Sequence, residues 1–135
     1  MNNKEIIGGC VGSIFESLDK GQWIIHFLNV FRARVMQISF GDQGQFFRHS
    51  VWVKEQWKLE MPLMEDVELS ILLNNASGKT CYLGGGLISS VRRWQSKNRF
   101  INAIHIIRLV MTYCLIRRVK SKVDTAVMYK SYYEK

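Results

Sequence analysis

Three clusters of residues carry the types and spacings from which group-transfer chemistry is built. Gly41-Asp42-Gln43-Gly44 sets a carboxylate and an amide between two glycines. Such a turn can present Asp42 and Gln43 as polar ligands, although Gly and Asp also form turns for backbone reasons alone. Pro62-Leu63-Met64-Glu65-Asp66-Val67-Glu68 places two adjacent carboxylates, Glu65 and Asp66, where a helical pattern begins. A carboxylate held in one direction can take the proton of an attacking hydroxyl. Acidic residues in a first turn also offset the positive end of the helix dipole. Ser89-Ser90-Val91-Arg92-Arg93-Trp94 puts two arginines beside a tryptophan. Guanidinium forks match phosphate oxygens, and an aromatic ring can support a sugar or base face. The plainer alternative is a solvated basic helix start with Trp94 in the core.

The elements that must position these clusters follow from periodicity. Residues 6–15 read as one strand with close backbone approaches at Gly8, Gly9 and Gly12. Residues 22–36 read as a helix, with Trp23, Phe27, Val30 and Phe31 at helical spacing. Residues 37–40 suit a short extended piece, and residues 45–53 fit either strand or helix. Pro62 suits the first position of a helix, where its missing N–H costs nothing. Leu63, Val67 and Ile71 follow at i, i+4 and i+8, and the helix should stop near Asn74-Asn75 with Gly78 as its exit. Residues 79–83 and Leu87-Ile88 read as strands around Gly84-Gly85-Gly86. From Val91 the pattern is helical and basic, with a break near residues 120–123. This alternation argues for an α/β layer structure, with too few strands for a complete doubly wound sheet.

The chain has 135 residues, which fits one domain, and its 47% hydrophobic content excludes a disordered chain. Its net charge of +8 is uneven. Residues 1–90 carry eight Lys/Arg and nine Asp/Glu, whereas residues 91–135 carry eleven Lys/Arg and two Asp/Glu. The chain therefore divides into an α/β portion, 1–90, and a basic helical portion, 91–135. The basic third suits an anionic partner, either phosphate groups or an acidic membrane surface, or else a merely solvated face. Cys10, Cys81 and Cys114 are scattered and odd in number, which argues against a disulfide framework and suits a reducing, cytoplasmic setting. His26, His49 and His105 show no metal-ligand spacing. No run reaches the ~18 apolar residues of a membrane span. The nearest candidate, residues 101–116, is interrupted by His105 and Arg108. Apolar residues interleave there with basic ones, as in helices that lie at a membrane surface. Nucleic-acid binding rests on charge alone and has no motif behind it.

Taken in order, Gly-Asp-Gln, Pro-Leu-Met-Glu-Asp-Val-Glu and Ser-x-Arg-Arg-Trp resemble the second half of bacterial family 2 glycosyltransferases. The likeness is closest to a small non-processive group associated with arsenosugar-type biosynthesis. It runs from about Ile7 to Tyr133, and Gly8-Gly9 matches the Gly-Gly that precedes the acceptor-side segment of that family. Ser90 stands where processive relatives have the glutamine of Gln-x-x-Arg-Trp, so a polymer-making role is not expected.

The resemblance implies a partial GT-A-like mixed sheet with flanking helices and a basic helical end. It implies Asp66 as the catalytic base with Glu65 supporting it. Gly41, Asp42, Gln43, Arg92, Arg93 and Trp94 are then the substrate-binding positions. No metal ligand falls in these residues. A divalent Mg or Mn ion is expected only in a complete enzyme, in which an Asp-x-Asp motif of the nucleotide-binding half holds it. No Asp-x-Asp occurs in this sequence. The expectation is therefore an acceptor-side part that meets a nucleotide-sugar and an acceptor only when that half is supplied. Alone it should bind nucleotide-sugars poorly, and expose apolar surface or self-associate, with residues 6–15 as the open sheet edge. Its expected location is cytoplasmic, or peripheral at the inner face of the membrane.

Overall fold

A computed structural model describes residues 5–16, 20–90, 99–120 and 123–133. The fold is mixed α/β. Its strands are β1 (Ile6–Cys10), β2 (Ser13–Phe15), β3 (Gln45–Phe47), β4 (Lys79–Tyr82) and β5 (Leu87–Ser89). Its helices are α1 (Lys20–Phe31), α2 (His49–Glu55), α3 (Glu65–Asn75), α4 (Arg99–Val119) and α5 (Ala126–Tyr133). A π-helical turn, Arg32–Met36, follows α1, and a 3-10 turn, Gly41–Gln43, precedes β3.

The first sheet has the order β3-β1-β4, with β1 antiparallel to β3 and parallel to β4. A second, two-stranded sheet pairs β2 with β5 in parallel. The single strand expected over residues 6–15 is thus two strands. Gly12 interrupts them with φ +91°, a conformation that glycine adopts without strain. The backbone stays bonded through the break: Val11 N–H donates to the Gly44 carbonyl at 3.0 Å and Gly12 N–H to that of Gln43 at 2.9 Å. The glycine turn after β4 follows the same path, with Gly85 N–H on the Val11 carbonyl at 2.8 Å. The expectation of an open edge at residues 6–15 fails for β1, which is the central strand of its sheet.

Helix α3 lies between two cores and buries side chains on both sides. On one side, Val67 packs with Ile38, Met64, Leu109, Val110, Tyr113, Val123 and Met128, which joins α3 to α4 and α5. On the other, Leu69 and Leu73 meet Ile7 of β1, with Trp52 and Trp57 covering them. Full burial of each such side chain stabilises the fold by about 1.5–3 kcal/mol. Of the expected i, i+4, i+8 face, Val67 and Ile71 lie on α3, whereas Leu63 packs against the same core from outside the helix. Pro62 is not the first helical residue, however. The helix begins at Glu65, after Met64 takes a left-handed conformation (φ +69°).

Two further expectations are corrected. Residues 22–36 are not one regular helix, because the ladder widens at Arg32. Residues 45–53 are strand and helix in succession, β3 and then α2. The aromatic spacing of α1 is real but faces outward: Trp23, Phe27 and Phe31 are about half exposed and stack on one another at 5.9 and 6.5 Å. Much of the exposed apolar surface of the described residues lies on α1 and α4, with further exposed residues at Ile14 of β2 and Ile88 of β5 but none on β1.

Candidate functional site

The 3-10 turn and the start of α3 meet at one carboxylate. Asp66 Oδ2 accepts the backbone N–H of Gly41 at 2.9 Å, and its Oδ1 accepts that of Val67 at 2.7 Å. Each oxygen keeps a lone pair for another donor. Burial pushes the Asp66 carboxyl above the usual range. The two amide bonds pull it back, Glu65 pushes it up again, and Arg32 opposes that. Burial is the largest of these effects, so the group holds its proton more tightly than a surface aspartate. Glu65 is exposed beside it.

The turn itself is held from beneath by Arg32, which sequence reasoning did not single out. The π-helical turn delivers its guanidinium under the loop. There Nε donates to the Ile38 carbonyl at 3.1 Å and a terminal nitrogen donates to Gln43 Oε1 at 2.9 Å. The Phe40 ring lies 3.4 Å from the guanidinium carbon, within cation–π range. Burial lowers the Arg32 pKa to about 10, partly offset by the carboxylates of Asp42 and Asp66. Gln43 is turned inward and only 1% exposed, and its Oε1 also accepts the Phe40 N–H at 3.0 Å. Gly41 and Asp42 are on the surface. Of the Gly-Asp-Gln triplet, Gly41 thus touches the carboxylate, Asp42 stays exposed and Gln43 shapes the loop.

A second network fixes the backbone of Asp66. Gln45 Nε2 lies within bonding distance of the Asp66 carbonyl (2.8 Å), Ser39 Oγ (3.0 Å) and Ser70 Oγ (3.0 Å). Ser70 Oγ also donates to the Asp66 carbonyl at 3.0 Å. Ser39 and Ser70 help line a cavity of about 210 Å³ that Cys10, Arg34, Gln37 and Tyr82 also border. Burial raises the Cys10 thiol pKa, so this cysteine stays a neutral wall of the cavity. Asp66 itself does not line that cavity.

Glu68, the third carboxylate of the motif, turns away from this cluster. It is 6% exposed and accepts the Tyr113 hydroxyl at 2.5 Å, while Arg117 approaches it at 2.9–3.0 Å. This triad, buried at Glu68 and Tyr113, clamps α4 to α3. Arg92, Arg93 and Trp94 lie outside the described residues. Among the described residues, no three His, Cys, Asp or Glu side chains converge to hold a metal ion. Comparison with protein-family models, with curated proteins and with solved structures gives no match to this chain.

Proposed function

We propose that this chain is the acceptor-side part of a GT-A-type family 2 glycosyltransferase, with Asp66 as the base. The observation that carries this reading is the meeting of two separated motifs at one half-buried carboxylate, where Gly41 N–H donates to Asp66 Oδ2. A base needs a fixed direction and an affinity for protons above that of a surface carboxylate, and burial supplies the second.

In the reaction, the free lone pair of Asp66 takes the proton of an acceptor hydroxyl. The hydroxyl oxygen bonds to the anomeric carbon of a nucleotide-sugar as the bond from that carbon to the diphosphate oxygen breaks. The leaving nucleoside diphosphate carries the electron pair away, and configuration inverts. Burial keeps the Asp66 proton affinity high, with a smaller push from Glu65. Arg32 and Gln43 hold the loop so that Gly41 stays on the carboxylate. By their residue types, Arg92, Arg93 and Trp94 serve the diphosphate or the acceptor. The nucleotide-binding half, with any divalent ion, is supplied by another segment.

The test assays the chain with uridine and guanosine diphosphate sugars and hydroxyl acceptors, alone and together with the nucleotide-binding half of a family 2 transferase. Product formation in the combined format is expected, with Asp66→Asn lowering kcat at least about 100-fold and leaving the donor KM nearly unchanged. Transfer that survives Asp66→Asn, or no transfer in either format, refutes the assignment.

A further inference from the structure

Helix α4 is held on one side and bare on the other. Its inner face contributes Leu109, Val110 and Tyr113 to the core, and Arg117 to the buried Glu68. On its outer face Ile101, Ile104, Ile107, Met111, Leu115 and Val119 recur at steps of three and four, and each is 43–86% exposed. That spacing forms one continuous apolar stripe. Arg108 and Arg118 are exposed on the same side of the helix. By length and composition, the stretch Phe100–Val119, of mean hydropathy 1.4, could cross a bilayer, and only 11% of it is buried. Crossing would pull Tyr113 and Arg117 off Glu68, leaving a carboxylate stranded in the core. The helix therefore suits lying along a surface and not passing through one.

We propose that the outer face of α4 docks in the plane of an anionic lipid bilayer surface, with its aliphatic stripe among the acyl chains and its arginines at the headgroups. Charge selects this occupant. Helix α4 contains no Asp or Glu, and residues 91–135 carry eleven Lys/Arg against two Asp/Glu. A second copy would set Arg108 and Arg118 against their own likes with nothing to neutralise them, whereas acidic headgroups complement both. Nucleic acid would leave the apolar stripe wet. Basic side chains at such a surface draw the helix to negative lipid, and the buried apolar area holds it there.

The test is vesicle flotation of the full chain on phosphatidylcholine vesicles with and without phosphatidylglycerol, at low and high salt. It uses no sugar donor, so its outcome is independent of the transferase assignment. Binding is expected to be at least about tenfold stronger with phosphatidylglycerol and to weaken with salt. The pair Arg108→Gln and Arg118→Gln should lower the preference for anionic lipid. The pair Ile104→Glu and Met111→Glu should lower binding to both vesicle types at least about tenfold. Because all four residues are exposed, circular dichroism should show the variants folded. Binding that ignores either pair, or no binding at all, overturns the proposal. So does a dimer in analytical ultracentrifugation that Ile104→Glu and Met111→Glu convert to monomer without affecting vesicle binding.

Discussion

Gly41 and Asp66 stand 25 residues apart in the chain and are joined by a 2.9 Å hydrogen bond from backbone to carboxylate. The bond sets the distance between a surface turn and a helix start, and it aims one carboxylate oxygen. Yet burial still outweighs it, and the carboxyl keeps a raised proton affinity.

The pH dependence of stability should show this. The folded pKa of Asp66 lies above its unfolded value, so folding favours the protonated form. That contribution is fully present below about pH 4 and is lost as the pH rises through the folded pKa. Asp66→Asn does not titrate. The stability of the parent relative to this variant should therefore fall as pH increases from about 4 toward neutrality. Urea unfolding at several pH values measures it, and a flat difference would contradict the burial argument.

The two glycines of Gly41-Asp42-Gln43-Gly44 should respond differently to alanine. A Cβ on Gly41 would sit 3.8 Å from Asp66 Oδ2, an ordinary contact. Gly41→Ala should change stability by less than about 0.5 kcal/mol. Gly44 has φ +62°, and a Cβ there would collide with the Leu87 side chain. Gly44→Ala should cost about 1–2 kcal/mol. Thermal unfolding of both variants checks the contrast.

Removing the carboxylate of Glu68 should be among the most damaging single changes. It leaves the buried Tyr113 hydroxyl unpaired while Arg117 turns to water, so Glu68→Ala should cost about 2–3 kcal/mol. Tyr113→Phe leaves the Arg117 pair in place and should cost about 1–2 kcal/mol. Burial, and the hydrogen bond to Glu68, push the Tyr113 pKa well above the usual tyrosine range. Its stabilising contribution is thus present below the ordinary value near pH 10 and declines as the pH rises beyond it. Tyr113→Phe should abolish that alkaline decline in a denaturation series.

His105 stacks parallel to Tyr132 at 6.3 Å, and its Nε2 is buried with no hydrogen-bond partner among the described residues. A lone buried polar nitrogen costs about 1–3 kcal/mol. His105→Phe keeps the ring stack and removes the nitrogen, so it should raise stability by about 1 kcal/mol. A lower melting temperature would show that the nitrogen is satisfied.

What was legible in the sequence is what periodicity and turn chemistry write locally. Val67 and Ile71 gave one face of α3, and Asn75 gave its end. Glu65 and Asp66 were placed correctly in its first turn. The glycine run marked the passage from β4 to β5. What escaped were features created by distant contact. Arg32 looks like a surface cation until the π-helical turn carries it under Gln43 and Phe40. Glu68 looks like a helix-dipole residue, because its partners Tyr113 and Arg117 come more than forty positions later. Gln43 looked available to a ligand because a turn residue gives no hint that its amide points inward. The aromatic spacing of α1 established a helix but not which side of it meets the core.

The placement of β1 bears on how the chain folds. Its parallel neighbour is β4, with Ile6 opposite Lys79 and Cys10 opposite Tyr82. Almost the whole α/β portion must be synthesised before that pairing can form. The cost of closing so long a loop grows only slowly with its length, but it must be met before the contact stabilises anything. Local elements such as α3 should form early, and the central strand should dock late, which slows the last step of folding. On a translating ribosome, β1 would have to wait for β4 to emerge before it could find its place.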